Sequence, residues 1–163
     1  MPSIISRKHF LQFATFGTGS LFLTSSAIAQ QDKPPALKPE LVKDFVIAGH
    51  GNLEKVKQML AQEPGLLNAC WDWGGGDFET AIEGAGHVGS KDCANYLLLQ
   101  GARMNIFCAA MLGQLDFVKA LLTQYPNLKD SKGPHGLQLI HHATKGGEDA
   151  KAVLTYLQSV GAQ

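Results

Sequence analysis

Gly51-Asn52-Leu53-Glu54-Lys55-Val56-Lys57-Gln58-Met59-Leu60-Ala61-Gln62-Glu63-Pro64 aligns without a gap against Gly113-Gln114-Leu115-Asp116-Phe117-Val118-Lys119-Ala120-Leu121-Leu122-Thr123-Gln124-Tyr125-Pro126, 62 residues further on. Glycine, leucine, an acid, valine, lysine, leucine, glutamine and proline recur in register. A fixed internal period means stacked supersecondary units, none of which buries its apolar face alone. In the first copy Leu53, Val56, Met59 and Leu60 fall on one face of a helix, and in the second Leu115, Val118, Leu121 and Leu122 do the same. Pro64-Gly65 and Pro126-Asn127 stop the two helices.

The chain has 163 residues, enough for one compact domain with a continuous core. Apolar residues make up 45% and charged residues 17%, which excludes global disorder. The first thirty residues read differently from the rest. A basic start, Ser6-Arg7-Lys8-His9, is followed by an apolar stretch interrupted by Gly17, Thr18, Gly19 and Ser20. Ala27-Ile28-Ala29 then offers a small-residue cleavage site, so residues 1–29 are expected to be an export signal with Gln30 as the first mature residue. A membrane anchor is the alternative, but the interrupted stretch is a poor span. No stable membrane span is expected in the mature form.

Without Arg7 and Lys8, the 14 basic residues fall to 12 against 14 acidic ones, and Arg103 is the one remaining arginine. Nucleic-acid binding needs clustered Lys and Arg, so that class is excluded. Cys70, Cys93 and Cys108 are an odd set with no C-x-x-C spacing. They read as small buried apolar side chains, with one bridge plus a free thiol as the alternative. Residues 30–39 carry Pro34, Pro35 and Pro39 and read as a polar tether, and residues 40–163 as the folded domain.

Between the two copies, Glu79-Thr80-Ala81-Ile82-Glu83-Gly84-Ala85 leads to Asn95-Tyr96-Leu97-Leu98-Leu99-Gln100-Gly101-Ala102-Arg103-Met104-Asn105. This text resembles the ankyrin repeat, whose pattern opens T-P-L-H-x-A, continues A-x-x-G and ends L-L-x-x-G-A-D-V-N. Phe107 to Gly113 and Leu139 to Ala143 are similar to the openings of two further units. Phe45, Glu83, Phe107 and His141 stand at the histidine position of the four openings. The resemblance implies an all-α ankyrin-repeat solenoid of about four helix-turn-helix units with degenerate terminal caps. Ser6-Arg7-Lys8-His9-Phe10-Leu11-Gln12 resembles the bacterial twin-arginine export motif, with Lys8 in place of the second arginine. Trp71-Asp72-Trp73-Gly74-Gly75-Gly76-Asp77-Phe78-Glu79-Thr80 and Pro134-His135-Gly136 are similar to segments of exported bacterial single-domain ankyrin proteins, which implies a periplasmic or secreted location and no reaction.

Ankyrin units bind partners on a concave face built from finger loops and short inner helices. The Trp/Gly/Asp stretch occupies such a loop, and exposed aromatics dominate binding hot spots. The expected contact residues are therefore Trp71, Trp73 and Phe78 as anchors, with Asp72, Asp77, Glu79, Glu83, His135 and His141 as polar selectors of an unidentified protein partner. The alternative is that one tryptophan plugs the stack. His50, His87, His135, His141 and His142 raise a metal hypothesis. No H-E-x-x-H or Cys/His zinc spacing exists, and adjacent His141 and His142 point apart on a helix. The expectation is no metal, no cofactor and no catalytic residue: a monomeric, non-enzymatic interaction module. A small-molecule or metal binder and a structural subunit of an exported enzyme are the rival readings.

Overall fold

The structure, a computed structural model, describes residues 33–162. Residues 1–29, expected to be an export signal, and the start of the expected tether lie outside the described residues. From Lys33 the chain runs without regular structure until Pro39, which opens the first helix one residue before the expected boundary.

The chain is mostly helical. Among the described residues eight α-helices form four consecutive pairs: α1 Pro39–Gly49 with α2 Leu53–Gln62, α3 Ala81–Val88 with α4 Lys91–Leu99, α5 Ile106–Met111 with α6 Leu115–Gln124, and α7 Leu139–Gly146 with α8 Lys151–Ser159. One small antiparallel sheet, β1 Cys70–Asp72 and β2 Phe78–Thr80, projects between the first two pairs. Among the described residues no helix is long and apolar enough to cross a membrane.

The sequence copy is a structural copy. Val56, Met59 and Leu60 of α2 are buried, as are Val118 and Leu122 of α6, while Leu53, Leu115 and Leu121 pack at the core edge. Both helices end one residue before a cap residue of non-helical backbone, Glu63 or Tyr125, and pass directly into a 3-10 turn opened by proline, Pro64–Asn68 or Pro126–Asp130. Glycines six residues after Phe45, Glu83, Phe107 and His141 all take positive φ: Gly51, Gly89, Gly113 and Gly147. Each ends or follows a helix where an L side chain is strained.

Helix α1 packs on α3, α3 on α5 and α5 on α7, while α2 meets α4 and α6 meets α8. The core follows the stack in two apolar clusters, one centred on Phe45, Val56, Leu66 and Leu97, the other on Val118, Leu139, Val153 and Leu157. Close approach is bought with glycine: a Cβ on Gly49 would lie 2.3 Å from the Ala81 carbonyl oxygen, and one on Gly146 would lie 2.1 Å from that of Met111. Gly49 thereby brings the end of α1 against the start of α3.

The packing departs from a stack in which each unit touches only its neighbours. Helix α5 is only 6 residues long, and α3 reaches past it to touch α7. Nε2 of His141 lies 2.9 Å from the carbonyl oxygen of His87, and Lys91 pairs with Asp149. Cys93 and Cys108 are buried as expected, and burial pushes the Cys108 thiol up to about 12. Cys70, expected to be buried, is exposed, because β1 sits in a projecting hairpin with only one face covered.

His142 is fully buried beside the Phe107 ring. Its Nδ1–H donates to the Gln138 carbonyl at 3.0 Å, and Nε2 finds no hydrogen-bond partner among the described residues. Burial holds its pKa down at about 4. In the unfolded chain the same group takes up a proton near pH 6.5. Between those values the unfolded state binds more protons, so stability falls as pH falls from 6.5 to 4, by about 3 kcal/mol in total. Urea midpoints across that range are expected to slope less for His142→Phe than for the parent; equal slopes would refute this origin.

Candidate metal centre

The hairpin sets up the site. Its register pairs Trp71 with Glu79 and Asp72 with Phe78. Alternation along a strand sends neighbouring side chains to opposite faces, so Phe78 is 58% exposed while Glu79 is 0% exposed. The turn between the strands is made by Gly74, Gly75 and Gly76 at φ of 126°, 66° and 87°, closed by the Trp73 N–H donating to the Asp77 carbonyl at 2.9 Å. The indole Nε1–H of Trp73 donates to Glu79 Oε2 at 2.8 Å.

Three histidines from three separate parts of the chain point at the other oxygen. His87 Nε2 lies 3.0 Å from Glu79 Oε1, and His50 Nε2 and His135 Nε2 each lie 3.5 Å from it. His50 Nε2 and His87 Nε2 are 2.9 Å apart. One donor atom from each of His50, Glu79, His87 and His135 falls within 4.8 Å of all the others.

His50 and His135 are each held from behind. His50 follows α1, and its Nδ1 lies 2.9 Å from the Val46 carbonyl, which only accepts, so Nδ1 carries the proton. Gly84 leaves room for that ring: a Cβ there would meet His50 Cε1 at 2.7 Å. His87 stands one turn after Gly84 on α3. His135 sits in the short Pro134–Gly136 turn at φ 59°, a left-handed conformation uncommon for a residue other than glycine. That turn aims both its backbone N–H and its Nδ1 at Asp77, at 2.8 Å each. A carboxylate or carbonyl behind a histidine fixes the tautomer and leaves the Nε2 lone pair for a metal.

Burial pushes the Glu79 carboxyl up, but His87 beside it, the nearby His50 and the Trp73 N–H outweigh this and hold it below the usual glutamate range. Asp77 is also held low, first by the His135 backbone N–H, which with the His135 ring outweighs the upward push of burial, the second-largest effect. Glu79 is therefore ionised at neutral pH. Even so, Oε1 accepts no well-aligned hydrogen bond among the described residues, although His87 Nε2 is close. An orphaned buried carboxylate oxygen facing three imidazole nitrogens is costly unless a cation sits among them. Imidazole with one carboxylate suits Zn, Fe, Cu, Ni and Mn ions rather than Ca or Mg.

The expected contact residues are distributed unevenly. Asp72, Trp73 and Phe78 are exposed on the hairpin, and Asp77 pairs with His135. Trp71 is half-buried against the core, with Lys43 over its ring and that of Trp73. Glu79 is not at the surface, because the Trp73 indole covers it. Glu83 is occupied: it closes the capping box of α3 with Thr80 and accepts from Asn105 Nδ2 at 2.9 Å. His141 is tied to the His87 carbonyl. Neither His141 nor His142 joins the donor set found among the described residues, although their two rings stand 5.5 Å apart. The residues that sequence spacing passes over are His50 and His87. Their available signal is placement, since each stands within two residues of a closing glycine, Gly51 and Gly89.

The chain matches no family model, no curated protein and no solved structure.

Proposed function

We propose that this protein binds a divalent first-row transition-metal ion through His50, Glu79, His87 and His135, on an ankyrin-type scaffold. The observation that carries the reading is the buried, unpartnered Glu79 Oε1 at the focus of three Nε2 atoms. A purely hydrogen-bonded cluster is a poorer account. The Nδ1 protons of His50 and His135 go to the Val46 carbonyl and Asp77, and neither Nε2, 3.5 Å from Glu79 Oε1, makes an aligned hydrogen bond to it. The ankyrin-type reading of the scaffold rests on the helix pairs, their closing glycines and the finger-like hairpin before α3. The signal read at residues 1–29 would place the site outside the cytoplasm. An uncleaved Met1 form confined to the cytoplasm would overturn that placement.

Metal-stripped protein dialysed against Zn(II), Co(II), Fe(II) or Mn(II) is expected to retain one ion per chain of at least one of these, measured by elemental analysis. Retention of none sinks the proposal. Gly84→Ala supplies a finer check. Alanine is the better helix former, so the fold is expected to survive, but the new Cβ displaces the His50 ring and breaks its bond to Val46. Loss of such support is expected to weaken metal binding about 10–100-fold. Unchanged affinity would remove His50 from the set.

A second reading is favoured by Phe78 and Trp73, both exposed on the same hairpin. Such a pair also suits a protein partner, the function expected from sequence. Pull-down from the host extract with the parent and with Phe78→Ala separates the two functions, because Phe78 contributes no donor to the metal set. A partner retained equally by both would count against the hairpin as its contact.

A further inference from the structure

Resting on the metal-binding reading, we propose that His50, Glu79 and His87 form the facial triad of a five- or six-coordinate ion, and that the ion keeps a position open to solvent for a small anionic ligand. His135 is then a fourth ligand brought by a loop rather than one corner of a closed tetrahedron.

The spacing of the donors argues for it. At a metal–donor length of about 2.1 Å, neighbouring donors stand about 3.0 Å apart on an octahedron and about 3.4 Å apart on a tetrahedron. The His50–His87 edge is 2.9 Å and the His87–Glu79 edge 3.0 Å, both octahedral, whereas the His50–Glu79 edge and the His135–Glu79 edge, 3.5 Å each, stand near the tetrahedral length and would close by about half an ångström. A tetrahedral centre would need the first two opened by about half an ångström. Glu79 is restricted to one oxygen, because Oε2 is taken by the Trp73 N–H. The four side chains therefore supply four donor atoms, too few to fill an octahedron. Two histidines and one carboxylate on one face, with open positions opposite, is a donor set suited to a ligand-exchanging centre rather than a structural one.

Exposure gives the open side a direction. The Glu79 side chain is 0% exposed and forms the floor, His87 is 14% exposed, and His50 and His135 rise to 27% and 34% at the rim. The Trp73 ring stands beside His135, 5.9 Å between centroids, and is itself partly exposed. Charge gives the ligand its class. A divalent ion with one directly bound carboxylate, Glu79, keeps a net positive charge of about one in its donor shell, with the Asp77 carboxylate one imidazole further off behind His135. That charge favours hydroxide, a carboxylate or another small anion in the remaining position.

The test uses the full chain loaded with Co(II), whose visible spectrum distinguishes four-coordinate from higher-coordinate sites, with azide as the probe anion. Weak d–d bands that shift saturably with azide are expected. Intense tetrahedral bands unmoved by azide would overturn the open-site proposal while leaving metal binding intact. Failure to bind Co(II), Zn(II), Fe(II) or Mn(II) at all would instead overturn the reading on which it rests. His135→Ala is expected to weaken Co(II) binding without abolishing it, and the Co(II) it still binds is expected to keep the azide response, because the triad remains. Complete loss of Co(II) from that variant would make His135 an equal corner of a closed site and refute the triad.

Discussion

His87→Ala is expected to abolish the thermal stabilisation that metal confers on the parent protein. At a free ion concentration a hundred times the dissociation constant, a ligand that binds only the folded state adds about 2.7 kcal/mol. For a domain of this size that gain corresponds to roughly 10 °C in Tm. His87 is the residue whose removal costs most, because its Nε2 is nearest both to His50 Nε2, at 2.9 Å, and to Glu79 Oε1, at 3.0 Å. Without it the remaining donors surround a gap, and the metal-dependent part of the stability should vanish. Comparing each variant with and without ion cancels any effect of the substitution on the metal-free fold. A His87→Ala protein that retained the full metal-induced shift would exclude the site.

Phe45→Ala should give the largest loss of stability without touching a donor atom. Phe45 is fully buried on α1 in the first apolar cluster. Truncating a buried phenylalanine costs about 3–5 kcal/mol, through lost transfer energy and the cavity left behind. Folded domains retain about 5–15 kcal/mol in all, so the variant would be marginal near body temperature. Helix α1 also carries the Val46 carbonyl that orients His50, so metal affinity should fall with it. Urea denaturation measures the first effect and dialysis the second. A midpoint change equivalent to less than about 1 kcal/mol would mean that α1 is not packed as described.

These two residues mark the limits of what was legible in the sequence. The helical faces of α2 and α6, their proline stops and the closing glycines follow from local pattern, because apolar period and backbone preference act over a few residues. Phe45 was placed at an opening of the repeat by the same register. The convergence on Glu79 is of another kind. Its histidines stand at positions 50, 87 and 135, at the end of one helix, within another and in a short turn. No short-range spacing connects them. The burial of Glu79 was hidden as well, since it depends on which face of a three-residue strand the Trp73 indole covers. Glu83 is half legible in the same way: its capping role with Thr80 is local, but its bond to Asn105 crosses to the next unit. The left-handed backbone of His135 had no sequence cue beyond its place between proline and glycine.

The short α5 and the ties that pass over it change what kind of object the stack is. A row of units joined only to their neighbours behaves like a zipper, and either end frays at little cost. Here the second unit holds the fourth directly, through His87 with His141, Lys91 with Asp149 and Asp77 with His135. The row is braced across its third unit, so freeing α7 and α8 means breaking contacts with α3 as well as with α5. Amide protons in the last two helices should then exchange with solvent through the same opening event as those of α3, where a zipper would release them first.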